Sequence, residues 1–362
     1  MIKKIFTVAA LSLSMTAGAA ERVLLVVSSA GTADDPESGY EFDELTQAWW
    51  TFVDNGYEVE IASPSGGEPQ SEERNRLWQF NSRFLDDASA MSAASNTTPL
   101  SAVDPRDYAA IFIIGGSGAA VDLPTNTVLQ GLIARVYDGG GVVGAVCHGP
   151  AALVNVRLQG RPILADRRVT AFTNEEEALF GSKEGDGWSL EDRIISEGGR
   201  FERADVMALH VVTDGRLVTG QNPFSTTLAA EATIRAMGGA PATRLPYRSE
   251  TTMELAALAL ADGLAPAAAR LAANPEDYES MFLAILGYYR FKAATSADAV
   301  RQALTLMTLS QPYFRHDNID LAMASAHERL GEMQAARQVL ASLLERSPDS
   351  ELARERLAAL PE

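Results

Sequence analysis

The sequence predicts a three-layer α/β sandwich with a mostly parallel central sheet, followed by an all-α C-terminal domain of helical hairpins. Between Arg22 and about Gly238, short β-branched runs alternate with longer stretches of helical periodicity. This order is typical of a parallel sheet covered by helices on both faces. From about Thr251 onward the strand signals vanish, and Ala, Leu, Glu and Arg dominate. The 362 residues are 46% hydrophobic and 22% charged, as in a globular protein of two or three domains.

Strand and helix signals follow one another along the first of these regions. The predicted strands are Val23–Val27, Val59–Ala62, Ala110–Ile114, Val142–Val146, Val169–Phe172, Leu209–Thr213 and Arg216–Thr219. The predicted helices are Phe42–Asn55, Thr125–Asp138, Pro150–Val156, Asn174–Phe180, Leu190–Glu197 and Ser225–Met237. Asp214-Gly215 separates the last two strands and is typical of a hairpin turn. Residues 68–104 are polar and rich in small residues, so we expect a long insertion with one helix.

The C-terminal region carries the spacing of a helical repeat. Gly331, Ala336 and Leu340, followed by Pro348, fit the second half of a tetratricopeptide repeat, whose first helix would be Asn318–Leu330. Weaker signals predict further helices at Tyr278–Lys292, Ala297–Leu309 and a shorter pair within Met253–Ala273. The alternative is a plain helical bundle or a dimerisation appendage. Gly238-Gly239-Ala240-Pro241 marks the boundary, which divides the chain into an α/β domain at 21–240 and a helical domain at 241–362.

The N-terminus has the pattern of a secretory signal peptide. Lys3 and Lys4 precede the apolar run Ile5–Met15, and four small residues end at Ala20. The alternative, a membrane anchor, needs about 20 apolar residues, more than this run supplies. We therefore expect residues 1–20 to be removed, a periplasmic or secreted protein, and no membrane association after that removal.

The charge balance argues against several partners. Acidic residues outnumber basic ones by 48 to 30, which gives a formal net charge of −18. A surface this negative repels phosphate backbones and anionic lipids, so we expect no nucleic-acid partner.

Cys147 is the single cysteine and stands in an unusual context. The segment 141–153, GVVGAVCHGPAAL, runs from an apolar strand into Cys147 and His148 and then into a Gly-Pro helix start. A nucleophile between a strand and a helix projects from the carboxyl edge of a sheet. The helix N-terminus favours a thiolate, so we expect the thiol pKa to be lowered to about 3.5–7.5. The alternative is a buried structural cysteine.

Several motifs, in their order along the chain, resemble those of the ThiJ/PfpI superfamily, which has a class I glutamine amidotransferase-like fold. They are GVVGAVCHGPAAL (141–153), IFIIGGSGAAVDLP (111–124), EFDELTQAWWTFVDNGYEVEIASPSGG (41–67), VTAFTNEEEALF (169–180) and DGRLVTGQNPFS (214–225). The last three are similar to segments of the chaperone and glyoxalase III-like branch. The resemblance implies a flavodoxin-like sandwich over about Arg22–Met237. Ser117 departs from the branch, where many members carry His.

The resemblance also implies roles for four acidic and basic residues. Glu44 occupies the position of a carboxyl that approaches the cysteine sulfur and donates a hydrogen bond to it. His148 would act as acid or base beside the sulfur, and Glu177 would orient it, with Glu176 as the second choice. From the residues alone, these glutamates equally describe a solvated helix start.

Backbone groups complete the implied site. N–H groups in the Gly115-Gly116 loop and at His148 would stabilise an oxyanion. His210, His316 and His327 are scattered, so neither a metal nor a cofactor is expected.

Three functions compete at this point. The first is a cysteine-dependent, glutathione-independent glyoxalase or deglycase that acts on small reactive carbonyls and yields a hydroxy acid. The second is a stress-protective holding chaperone or redox-sensing module, with a protein partner bound through residues 251–362. The third is an amidase or peptidase. Relatives of this kind often dimerise, so a homodimer is a further expectation.

Overall fold

The computed structural model describes residues 21–35, 38–180 and 189–361. The predicted signal peptide lies outside these ranges. Among the described residues, no helix has the length and apolar character needed to cross a bilayer.

The strands form one large sheet and two small ones. In chain order they are β1 (Arg22–Val26), β2 (Glu58–Ser63), β3 (Thr98–Pro99), β4 (Ala110–Ile113), β5 (Val142–Val146), β6 (Arg157–Leu158), β7 (Arg161–Pro162), β8 (Arg168–Val169), β9 (Arg200–Phe201), β10 (Val211–Asp214) and β11 (Leu217–Gly220). The seven-stranded sheet has the order β10-β11-β5-β4-β1-β2-β3. All neighbours in it are parallel except β10 and β11, which form the hairpin predicted at Asp214-Gly215. Strands β4 and β5 are buried throughout, as expected for strands covered on both faces.

Among the described residues, eight α-helices accompany this sheet. They are α1 (Phe42–Asp54), α2 (Gln79–Asp86), α3 (Ala88–Ser95), α4 (Ser117–Asp122), α5 (Thr127–Asp138), α6 (Asn174–Phe180), α7 (Leu190–Ser196) and α8 (Thr226–Ala236). Helices α1 and α8 pack on the face whose core includes Phe52 and Ile234, and α5 packs on the opposite face through Leu132 and Ile133. The mostly parallel, three-layer prediction is confirmed.

Three local predictions were wrong. Residues 68–104 hold two helices and β3 instead of one helix, because Asp87 accepts hydrogen bonds from Ser89 N and Ala90 N and so starts α3 directly after α2. The helix predicted at 150–156 is a 3₁₀ helix, Gly149–Leu153. The strand predicted at 169–172 is shortened to β8, which lies outside the main sheet. The reason is that the backbone N–H groups following β8 donate to other partners. Phe172 N donates to Cys147 O at 3.0 Å.

The C-terminal region is all-helical, as predicted. Its helices are α9 (Arg248–Asp262), α10 (Leu264–Ala273), α11 (Ser280–Ala293), α12 (Ala297–Ser310), α13 (Asp317–Arg329), α14 (Met333–Arg346) and α15 (Glu351–Ala359). The pair α13 and α14 matches the repeat predicted around Gly331, which has a φ of +77° in the turn between them. Helix α15 was not predicted.

The helical region shares a hydrophobic core with the α/β region. Met253 on α9 and Leu283 on α11 belong to the same buried cluster as Trp78 and Phe80. The Trp78 and Phe282 rings lie 4.9 Å apart between centroids. An ion pair of 3.1 Å joins Arg290 on α11 to Asp205 of the α/β region. The C-terminal helical region (the tail) therefore packs directly against the α/β region.

We expect Leu283→Ala to lower the free energy of unfolding of the full chain by about 2–5 kcal/mol, because it leaves a cavity in the shared core. Leu283 is fully buried. Urea denaturation measures the change, and Leu352→Ala on α15 is the control because Leu352 is 53% exposed. Equal effects of the two variants would contradict a shared core.

Candidate active site

Cys147 occupies a sharp turn at the carboxyl end of β5. Its φ is +56°, in the left-handed region that costs a residue with a Cβ about 1–2 kcal/mol. Hydrogen bonds hold the turn on both sides: Cys147 N donates to Gly220 O, and Phe172 N donates to Cys147 O, each at 3.0 Å. The sheet therefore holds the sulfur at its edge, where the sequence predicted a nucleophile turn.

His148 lies between the sulfur and a carboxylate. Its Nδ1 is 3.5 Å from Cys147 Sγ, and its Nε2 is 2.6 Å from Glu177 Oε1 on α6. Phe172 supports the imidazole, with ring centroids 4.7 Å apart. A carboxylate only accepts hydrogen bonds, so the imidazole proton belongs on Nε2 and the lone pair of Nδ1 faces the sulfur. The residues predicted as Cys147, His148 and Glu177 are thus brought together.

Glu176, the second choice for orienting His148, uses both of its carboxyl oxygens in other hydrogen bonds. Its Oε2 accepts from Thr173 N and Oγ1, both at 3.0 Å. Its Oε1 accepts from Met207 N, Gln221 Nε2 and Asn222 Nδ2 at 2.9–3.1 Å. Burial raises the pKa of this carboxyl. Glu176 ties α6 to the segment after β11 and so positions its neighbour Glu177.

Glu44 approaches the sulfur from the first turn of α1. It is fully buried, and its Oε2 accepts a hydrogen bond of 2.6 Å from Gly115 N. Burial raises the pKa of Glu44 well above its usual range, although the bonds from Gly115 and with the Cys147 thiol oppose the rise. The carboxyl therefore holds a proton readily and can donate it toward the sulfur, as the resemblance implied.

The two glycines of the loop after β4 allow three segments to meet. A Cβ on Gly115 would lie 2.9 Å from Cys147 Cβ, and one on Gly116 would lie 2.3 Å from Glu41 N. The N–H of Gly115 is already bonded to Glu44. The expectation that Gly115 donates to an oxyanion is therefore wrong, because Glu44 takes that donor. Among the described residues, the Gly116 N–H has no hydrogen-bond partner.

The expected low pKa of the Cys147 thiol is also wrong. The residue is only 4% exposed, and burial raises the pKa of its thiol, as do the charge and hydrogen bond of Glu44 and the charges of Glu176 and Glu41. The 3₁₀ helix that follows has only five residues and offers little dipole to oppose this. Because a negative charge on either group disfavours one on the other, the Cys147–Glu44 pair keeps at least one shared proton.

An acidic cluster that was not predicted from the sequence lies beside the site. Tyr40 N donates to Gln70 O at 3.2 Å and Glu72 N donates to Tyr40 O at 2.8 Å, which brings residues 70–72 against the start of α1. Burial and the charges of Asp43, Glu72 and Glu44 raise the pKa of Glu41. Burial raises the pKa of Asp43 to about 6. Acidic residues at positions 41, 43, 44, 72 and 73 were visible in the sequence. Only the backbone pairing of residues 70–72 with Tyr40 shows that they lie close together.

Comparison with known proteins identifies the family. The model of the DJ-1/PfpI family matches residues 22–236, and the chain belongs to that family. A tetratricopeptide repeat model matches residues 317–360. Among the described residues, no group of three or more His, Cys, Asp or Glu could hold a metal ion.

The similar proteins cover the α/β region. The chain is 32% identical over 231 residues to the glutathione-independent glyoxalase hsp3101 of Schizosaccharomyces pombe, covering 59% of this chain and 95% of that protein. It is 32% identical over 230 residues to glyoxalase 3 of Candida albicans, covering 59% and 98%. The crystal structure of glyoxalase III from Candida albicans aligns with a TM-score of 0.54 at 29% identity, over 60% of this chain and 97% of that one. The Francisella tularensis Rapid Encystment Protein aligns with a TM-score of 0.55 at 32% identity, covering 60% and 99%.

We expect Asp43→Asn to stabilise the protein at pH 8 and to have no such effect at pH 4. The folded-state pKa of Asp43, about 6, exceeds its usual value of 3.8. Its favourable contribution is therefore fully present below pH 4 and is lost as the pH rises through 6. A shift of two units corresponds to at most about 3 kcal/mol. Urea unfolding at pH 4, 6 and 8 measures this, with the exposed Asp138→Asn as control. A gain that does not vary with pH would refute the explanation.

Proposed function

We propose that this protein is a glutathione-independent glyoxalase of the glyoxalase III type, which converts a 2-oxoaldehyde such as methylglyoxal into a 2-hydroxy acid. The observation that carries the proposal is the meeting of Cys147, His148, Glu177 and Glu44 at one turn. Membership in the DJ-1/PfpI family and similarity to proteins named glyoxalases support it.

The first half of the reaction uses the shared proton of the Cys147–Glu44 pair. With that proton on Glu44, the thiolate attacks the aldehyde carbon, and the new alkoxide takes the proton to give a hemithioacetal. The sulfur is then uncharged, so Glu44 can remain ionised and remove the proton from the former aldehyde carbon, which gives an enediolate. Glu44 returns this proton to the neighbouring carbon while the hydroxyl proton passes to the second oxygen. The product is a thioester of the hydroxy acid: one carbon is oxidised and its neighbour reduced.

The second half is hydrolysis, for which His148 is placed. Nδ1 of His148 takes a proton from water as the water attacks the thioester carbon, and the Cys147 thiolate leaves. Glu177 stabilises the imidazolium that forms and holds its orientation. The N–H groups of Gly116 and His148 are the proposed donors to the oxyanion. Glu44 regains its proton, so the net reaction adds one water to the 2-oxoaldehyde and releases a hydroxy-acid anion and a proton.

Ser117 stands where many members of the chaperone and glyoxalase III-like branch carry the bulkier His, but hydrogen bonds still hold the loop. Its N–H and hydroxyl both donate to Glu72 Oε1, at 2.9 and 3.3 Å. We infer that Glu72 holds the loop through Ser117 and that the pocket keeps its shape.

We expect Cys147→Ala to abolish lactate formation from methylglyoxal in the absence of glutathione, because no carbon–sulfur bond can form. Glu177→Gln should lower kcat about 10²-fold, since the imidazolium loses its counter-charge. Lactate is measured enzymatically on the purified full chain. Glu175→Gln is the matched control because Glu175 lies exposed on the same helix.

Two results would overturn the proposal. Lactate formation that persists in Cys147→Ala would remove the sulfur from the mechanism. Equal activities of Glu177→Gln and Glu175→Gln would remove the Cys147–His148–Glu177 relay.

We further propose that the protein is exported and acts in the periplasm or outside the cell, on the strength of the basic and apolar pattern of residues 1–20. Mass spectrometry of the N-terminus should find a mature chain that begins near Ala20 or Glu21 in the secreted or periplasmic fraction. A cytoplasmic chain that retains Lys3 and Lys4 would contradict export.

A further inference from the structure

A cavity of about 360 Å³ lies where the helical region meets the α/β region. One side comes from the start of α1 and from residues 72–80, and the other from α9 and α11. This volume falls in the range of small-ligand sites. Cys147 is not among the described residues that line it.

One wall of the cavity is acidic, and the described residues that line the cavity include no cation. Glu41, Asp43, Glu72 and Glu73 line it, whereas none of the described lining residues is Lys, Arg or His. Burial and the neighbouring acidic charges raise the pKa of Glu41 and Asp43, so negative charge on this wall is disfavoured. A cation in the cavity would relieve that cost.

The facing walls are apolar and aromatic. Trp78 and Phe282 pack with centroids 4.9 Å apart, and Phe180 packs on Tyr289 of α11 with centroids 5.2 Å apart. All four line the cavity. Aromatic faces next to carboxylates attract organic cations through cation–π and charge interactions.

A buried hydroxyl on the same surface is unpaired. Ser249 on α9 lines the cavity and is 1% exposed. Its Oγ has no hydrogen-bond partner among the described residues. A buried polar atom without a partner costs about 1–3 kcal/mol, which a ligand with a polar hydrogen would recover. This observation points to a ligand independently of the acidic cluster.

We propose that this cavity binds a small organic ammonium ion with an aromatic or branched apolar body. The ammonium would donate to the carboxylates of Glu41 and Asp43, and the apolar body would lie against Phe282 and Trp78. A bare metal ion fits less well, because no group of three His, Cys, Asp or Glu among the described residues is arranged to coordinate one. An anion would meet four carboxyl groups. This binding goes beyond the carbonyl chemistry proposed above.

Glu41 connects this site to the sulfur. It lines the cavity, and its N–H donates to Gly115 O at 3.1 Å, where the backbone of Gly115 lies against Cys147. Its charge is one of those that raise the pKa of the Cys147 thiol. A bound cation would offset that charge and favour the thiolate. Occupation of the cavity should therefore speed alkylation of Cys147.

Binding is tested by isothermal titration calorimetry of the full chain at pH 7.5 with 2-phenylethylammonium, 2-phenylethanol and phenylacetate. We expect the amine to bind at least about tenfold more tightly than the alcohol, which has the same body without the charge, and phenylacetate not to bind. Glu41→Gln and Phe282→Leu should each weaken amine binding about tenfold. Glu254→Gln, exposed on α9 and paired with Arg270, is the matched control.

The outcomes separate this site from the enzymatic proposal, since binding is measured without a carbonyl substrate. Equal affinities for the amine and the alcohol, or full affinity in a Glu41→Gln variant with an unchanged unfolding midpoint, would overturn recognition of a cation. Failure of all three probes to bind would overturn the site. A second readout is iodoacetamide labelling of Cys147, which should be at least twofold faster with saturating amine; an unchanged rate would overturn the link through Glu41.

Discussion

The left-handed backbone of Cys147 is the constraint on which the site depends. A residue with a Cβ adopts this conformation only where its surroundings hold it. Here the supports are the carbonyl of Gly220 at the end of β11 and the N–H of Phe172. The register of β5 against β11, which pairs Val146 with Gly220, brings the first of these into place. The same turn places the sulfur beside His148 and Glu44, so the register of the sheet also fixes the geometry of the candidate site.

The second property of the site is its excess of negative charge. Glu44, Glu41, Asp43 and Glu176 all have a raised pKa, and burial is the largest cause for each. Glu176 is satisfied by donors from three segments, whereas Glu41 and Asp43 face a cavity. Asp43 also accepts a hydrogen bond, from Asn81 Nδ2, so the feature that distinguishes Glu41 and Asp43 is that they line a cavity, where a carboxyl can titrate or meet a cation.

Much of this could be predicted from the sequence, and the failures have physical reasons. Strand β5 was predicted to the residue because a continuous apolar run between turn signals is a local pattern. Cys147, His148 and Glu177 followed from motifs of a family with a conserved geometry. The predicted pKa of the Cys147 thiol was wrong because this pKa depends on burial and on the charges of Glu41 and Glu44, which tertiary packing brings near the sulfur. The cavity could not be predicted, since α9 and α11 line it only after docking on Trp78 and Phe80.

The docking of the tail has a consequence for biosynthesis. Residues 22–238 are made before the C-terminal helices, and about 55 more residues must be made before α9 to α11 are complete. At about 5–20 residues per second, the surface around Trp78 and Phe80 stays uncovered for roughly 3–11 s. A nascent chain with an exposed aromatic face for that time is prone to aggregate unless a chaperone shields it. The C-terminal helices are therefore made last, and they cover an aromatic surface that the earlier part of the chain has already formed.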